Sequence, residues 1–337
     1  MRILFQLFLI AGLVCVQSAP TSAQSREERI AAFVAWGQDV NELSNEAVSL
    51  LDSSAADEVV YLRSNSQIDE VAAQQRLDDW FSARNARLEI IEARSAVLGA
   101  GPDLMLESQE PLAGAMRSSI EDLIPRVRDF VEAQYEASSQ AIAGNEVDWP
   151  AVASAQYAVF QQIYVSQIRR NLSVRQTGNG DGPEGAWATA LNANMASMIV
   201  VLEMMRVEWG ADPSQFSVEN PVERLQERRR EVRGSVAEGR RAIRERAREL
   251  ERSQPSTHRG DHLVPLIEQS SEILREALAL EEEMSAALLD VGRRIEQEGV
   301  TEATLAQIDA LSILEQRRAD YQQRNTAIAQ QMFPSQR

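Results

Sequence analysis

The chain has 337 residues, 44 % of them apolar and 25 % charged, which excludes a disordered or low-complexity protein and allows one large domain or two smaller ones. It carries 34 basic against 51 acidic residues, for a formal charge of −17, a balance that repels phosphate and disfavours nucleic acid as a partner. Aromatics are sparse, and Ala, Leu, Glu, Gln and Arg dominate, the residues that lose least on entering a helix, so the composition points to an all-α fold.

Met1-Arg2 gives a short positive start, and an apolar run from Ile3 to Val16 follows, broken only by Gln6 and Gly12. Small and polar residues come next and end in Thr21-Ser22-Ala23. This is the three-part layout of a bacterial secretory signal peptide over residues 1–23, with cleavage expected after Ala23 and a periplasmic or secreted mature protein. The run is shorter than the roughly 20 apolar residues that span a bilayer. Val14, not a small residue, precedes Cys15, which speaks against a lipoprotein. Cys15 is the only cysteine, so the mature chain is expected to hold no thiol and to rely on core packing without disulfides.

Residues 24–176 read as an N-terminal helical bundle. Ser25-Arg26-Glu27-Glu28 has the form of a capping box, and Ile30, Phe33, Gly37, Val40, Leu43, Ala47 and Leu50 make one stripe behind it. After a break at Asp52-Ser53-Ser54, a helix from about Ala55 restarts at Ser66. Its stripe runs through Ile68, Val71, Trp80, Leu88, Ile91 and Leu98, and Gly99-Ala100-Gly101-Pro102 stops it. The next helix spans about Pro111 to Ala143 with Pro125 as an expected kink, and Asp148 caps another that reaches about Arg175. Residues 177–185 form a Gly-rich loop.

Residues 186–212 read as a buried apolar helix. Trp187, Leu191, Met195, Met198, Val201 and Met205 share a stripe, other faces are apolar too, and no charge falls between Glu184 and Glu203. Asn192, Asn194 and Ser197 make it a poor membrane span. Met195, Met198, Met204 and Met205 suit thioether copper binding in principle, but helical core filling explains them without a metal. Residues 213–337 read as a three-helix region. Val222, Leu225, Arg229, Val232, Val236, Gly239, Ile243, Ala247 and Leu250 alternate in steps of three and four, a heptad seam in which Arg229 and Gly239 look like poor packers. A similar stripe runs from Leu263 to Ile295, and a Thr301 cap flanked by Val300 and Leu305 opens the last helix, to about Met332. The fold expected is an elongated multi-helix bundle ending in an antiparallel three-helix, coiled-coil-like rod roughly 45 to 55 Å long.

The chemistry is mostly excluded. No lysine occurs, so there is no G-x-x-x-x-G-K phosphate loop and no Schiff base, and no G-x-S-x-G motif is present. The two histidines, His258 and His262, flank Asp261 in a pattern that mimics H-x-x-E-H, the weak metal candidate of this chain; Gly260 and Pro255-Ser256-Thr257 instead read as an inter-helix turn. Arg228, Arg229, Arg230, Arg240 and Arg241 suit a membrane surface or acidic partner, while glutamates at pairing distance (Glu227/Arg230, Glu238/Arg241, Arg241/Glu245, Glu249/Arg252) read as a solvated face laced with ion pairs. No catalytic residue or cofactor is assigned. The sequence favours an exported, non-enzymatic helical scaffold, adaptor or binding protein with protein partners or self-association. The alternatives are a membrane-active, pore-forming-like protein that inserts residues 185–202, and an envelope enzyme using carboxylate chemistry.

Overall fold

The computed structural model describes residues 23–99, 101–102, 107–176, 182–216, 219–253 and 263–332. Among the described residues 89 % are helical and none lies in a strand, which makes the fold all-α. In chain order the helices are α1 (Ala23–Ser49), α2 (Ser54–Ser64), α3 (Glu70–Leu98), α4 (Glu110–Ile142), α5 (Trp149–Gln176), α6 (Pro183–Glu208), α7 (Pro221–Ser253), α8 (Leu263–Glu298) and α9 (Glu302–Met332). Residues 1–22, which hold most of the expected signal peptide, lie outside the described residues, as do residues 177–181 of the Gly-rich loop.

Local chemistry explains most boundaries. The Asp69 carboxylate accepts from the Ala72 amide and opens α3, and Asp148 Oδ1 accepts from the Ala151 amide at 3.1 Å to open α5. Thr301 Oγ1 takes the Thr304 amide at 3.3 Å at the start of α9. Gly99 (φ 52°) stops α3 and Gly144 (φ 76°) follows the last turn of α4, in left-handed conformations that a side chain resists. Two expectations shift. α1 already runs from Ala23, so Ser25 lies inside the helix and does not cap it. α3 starts at Glu70, not Ser66, whose own φ is +54°; its buried stripe begins at Ala73 and Leu77, and Val71, one position off that stripe, is 81 % exposed. α4 continues through Pro125, which cannot donate to the carbonyl four residues earlier.

The helices form two compact units: Thr21–Arg170 with Met205–Ser217, here the first unit, and Asn171–Met204 with Val218–Arg337, the second. In the first unit α3 lies antiparallel to α1, with Arg94 on Glu46 at 2.7 Å and on Glu42 at 3.3 Å, and the Trp36 indole donating to the Leu98 carbonyl at 3.2 Å. Phe33, Trp36 and Val40 of α1 pack on Ala113 and Met116 of α4. α4 also runs antiparallel to α3: Arg128 pairs with Glu92 near one end, and Tyr135 and Ser139 bond to Asp78 and Gln74 near the other.

In the second unit α7 and α8 are antiparallel and matched residue for residue. A Cβ added to Gly239 of α7 would stand 2.7 Å from Leu278 of α8 and 3.2 Å from Ala186 of α6. One added to Gly292 of α8 would collide with Leu225 of α7. Each helix thus offers the other a leucine and a glycine notch to receive it. α9 returns along α8, with Arg317 on Glu283 at 3.0 Å and Arg324 on Glu276 at 3.3 Å. The apolar centre joins Trp187, Ala190 and Ala193 of α6 to Val232, Val236 and Ile243 of α7 and Leu274, Ala277 and Leu278 of α8. α6 is long and apolar enough to cross a membrane, and most of its apolar window is buried within the protein.

Candidate functional site

Charge is buried deepest in the second unit, where α6, α8 and α9 meet. Glu281 of α8 is 0 % exposed and Arg318 of α9 is 3 % exposed. The guanidinium grips the carboxylate with two prongs: Nε donates to Oε1 at 2.9 Å and Nη2 to Oε2 at 2.8 Å. α6 supplies two further donors, the Trp187 indole to Oε1 at 3.3 Å and the Asn194 amide to Oε2 at 2.8 Å. Asn194 Nδ2 also reaches the Glu281 backbone carbonyl at 2.8 Å, and two acceptors on one side fix which way the amide points. Its Oδ1 is then left buried without a hydrogen-bond partner. Glu315 completes the group, both oxygens facing Arg318 Nη1 at 2.7 and 2.8 Å. Burial pushes the Glu315 carboxyl above its ordinary pKa and the nearby Glu281 charge adds to this, against the pull of Arg318. A carboxylate that already accepts four side-chain hydrogen bonds has no lone pair free to take a substrate proton, so this cluster ties helices together.

The first unit holds a second polar network, closer to solvent. Tyr135 of α4 donates to Asp78 Oδ1 at 2.8 Å, and Gln74 Nε2 donates to the same oxygen at 2.8 Å. Ser139 donates to Gln74 Oε1 at 3.1 Å. The bond to Asp78 raises the Tyr135 pKa above its ordinary value and keeps the phenol neutral. The Tyr135 ring stacks on Phe81 of α3, centroids 4.3 Å apart and planes 26° from parallel. These rings, with Glu132, Glu136, Ser139 and Gln140, line an open groove of about 340 Å³. Elsewhere in this unit Arg170 of α5 donates to Asn41 Oδ1 at 2.9 Å, and burial pushes its pKa down to about 10.

Of the candidates named from sequence, His258, Asp261 and His262 lie outside the described residues. No group of three or more His, Cys, Asp or Glu side chains among the described residues is placed to hold a metal. Met195, Met198, Met204 and Met205 are all buried. In the arginine-rich stretch, Arg228 pairs with Glu231 at 2.8 Å, and Arg240 reaches across to Glu282 of α8 at 3.2 Å. These partners differ from the pairs spaced out in the sequence: one lies within α7 and the other is an acid of α8. The Glu281 cluster and the Phe81–Tyr135 groove were both missed by sequence reasoning. Each draws on separate helices, and only for Glu281 was there a signal: buried residues at Leu274, Leu278, Ser285 and Leu288 bracket it at helical spacing. No family model, no curated protein and no solved structure matches the chain.

Proposed function

We propose that the chain is an exported, non-enzymatic helical protein that serves the cell envelope as a scaffold or adaptor. In this reading residues 1–23 are a secretory signal peptide cleaved after Ala23, and α7, α8 and α9 form an antiparallel, coiled-coil-like rod. The observation that carries it is where the charge is spent. Within the second unit, arginines and carboxylates join one helix to the next: Arg246 to Glu184, Arg240 to Glu282, Arg317 to Glu283, Arg324 to Glu276, and Arg318 to Glu281 in the interior. Charges committed to holding helices side by side suit a rigid support better than a reaction centre. The burial of most of α6 speaks for a core helix over a membrane-inserting one.

The test is made in cells. The purified mature protein should begin at Gln24 by N-terminal sequencing and should fractionate with the periplasm or medium. A photo-crosslinking residue at exposed Ile90 or Ile313 should give discrete covalent adducts in the envelope. An intact N-terminus in the cytoplasm would defeat the export half. A protein that yields no adduct from either position would defeat the adaptor half.

A further inference from the structure

The groove on the first unit has a chemical character that the scaffold reading neither needs nor explains. Its floor is the stacked pair of Phe81 and Tyr135. Its rim carries Glu132 and Glu136, one turn apart on α4 and both exposed. Neither carboxylate has an ion-pair partner among the described residues, whereas Asp122 of the same helix pairs with Arg169 and Arg128 with Glu92. Like charges four residues apart on a helix repel, so the apo protein holds two negative charges together with nothing to offset them.

We propose that this groove binds a small organic cation, a guanidinium or alkylammonium group, against the Phe81 and Tyr135 rings and between the Glu132 and Glu136 carboxylates.

Three features favour that class over others. The π-face of an aromatic ring carries negative charge and attracts a weakly hydrated, planar cation, and guanidinium also stacks on such rings. A hard metal ion would instead need a fuller shell of oxygens than two carboxylates beside apolar rings supply. Anions are repelled by the same two carboxylates.

The site is also held in shape before any ligand arrives. Tyr135 is anchored through Asp78, Asp78 through Gln74, and Gln74 through Ser139, so the ring cannot swing away without breaking the chain. Ser139 spends its proton on Gln74 and keeps lone pairs free to accept from an N–H of the ligand. A space of about 340 Å³ lies at the small end of ligand pockets, which suits one charged head group. The same head group occurs on a free amine and on the arginine side chain of a polypeptide, and the two sources are separated by experiment.

The full-length mature protein is titrated with methylguanidinium, its neutral isostere methylurea, and a blocked arginine tripeptide, followed by calorimetry and by saturation-transfer NMR. Methylguanidinium should bind saturably with a Kd of about 0.1 to 10 mM, weakening as salt rises. Methylurea should not bind. The double substitution Glu132→Gln with Glu136→Gln, both on the surface, should weaken binding at least tenfold, and Phe81→Ala severalfold with helicity retained. A tripeptide that binds much tighter than methylguanidinium identifies a polypeptide side chain as the source, and equal affinity identifies a free cation. Absence of saturation by methylguanidinium, equal binding of methylurea, or binding unchanged in the double variant overturns the proposal. None of these outcomes bears on export or on envelope adducts.

Discussion

Glu281 and Arg318 escape the cost of burial because each stands in for the water the other has lost. Taking a lone charge out of water costs several kcal/mol, and the two-pronged contact, with Trp187 and Asn194 behind it, replaces that hydration. Removing one partner should therefore be worse than removing both. Arg318→Met is expected to lower the unfolding free energy by about 3 to 5 kcal/mol, and the double variant Glu281→Met with Arg318→Met by less, both read from urea denaturation followed by circular dichroism. A double variant no better than the single one would mean that the pair is worth more than its desolvation. Glu315 gives a pH signature. Its folded pKa lies above the ordinary 4.5, so between the two values the native state keeps a proton that the unfolded chain has released. Its contribution to stability is therefore greatest at low pH and is lost as pH rises through the folded value. Glu315→Gln should flatten that decline, visible as melting temperatures that change less with pH than those of the parent above pH 4.5. In the sequence Glu281 opens the run Glu281-Glu282-Glu283 and looks like part of a solvated face. Only the apolar positions on either side of it show that α8 is buried on two faces, and a single-stripe reading follows one of them.

At the scale of the helix, period carried most of the information. Every member of the α6 stripe from Trp187 to Met205 is buried, as are Leu225, Val232, Val236 and Ile243 of α7. Gly239 was expected to be a weak spot in that seam. It is instead the place where Leu278 comes closest, and its value lies on the partner helix, where a one-helix pattern cannot show it. Two glycines of α7 make the contrast testable. Gly234 has no atom within 4 Å of where a Cβ would sit, so Gly234→Ala should stabilise the protein by removing backbone freedom from the unfolded chain, by about 0.5 to 1 kcal/mol. Gly239→Ala gains the same helix propensity but drives a methyl into Leu278, and should destabilise by about 1 to 3 kcal/mol. If thermal melts placed both variants on the same side of the parent, the notch would have no energetic role. Cap chemistry was legible at Asp148 and Thr301 because it is local. It misled at Ser25 because α1 extends past it.

For the molecule as a whole, the fold class follows from composition and period, since a chain rich in helix formers with few glycines and prolines has little else to build. The division into units is harder to read, because its boundaries fall at Arg170 and Met204, inside α5 and α6, with no break in helical pattern to mark them. Function is harder still. Phe81 and Tyr135 meet only because α3 and α4 run antiparallel in one register, and neither residue has a neighbour in sequence that announces the other.

The setting of Trp187 has a spectroscopic consequence. The other tryptophans, Trp36, Trp80, Trp149 and Trp209, all belong to the first unit, so among the indoles of this chain Trp187 alone belongs to the second. A protein in which those four are replaced by phenylalanine would emit light from one place, an indole whose N–H points at the Glu281 carboxylate. Its fluorescence would follow the second unit, and the parent with Trp187→Phe would follow the first. Two silent substitution sets thus turn one chain into two optical reporters, and a shift of the Trp187 emission on neutralising Glu281 would show the buried charge by its electric field.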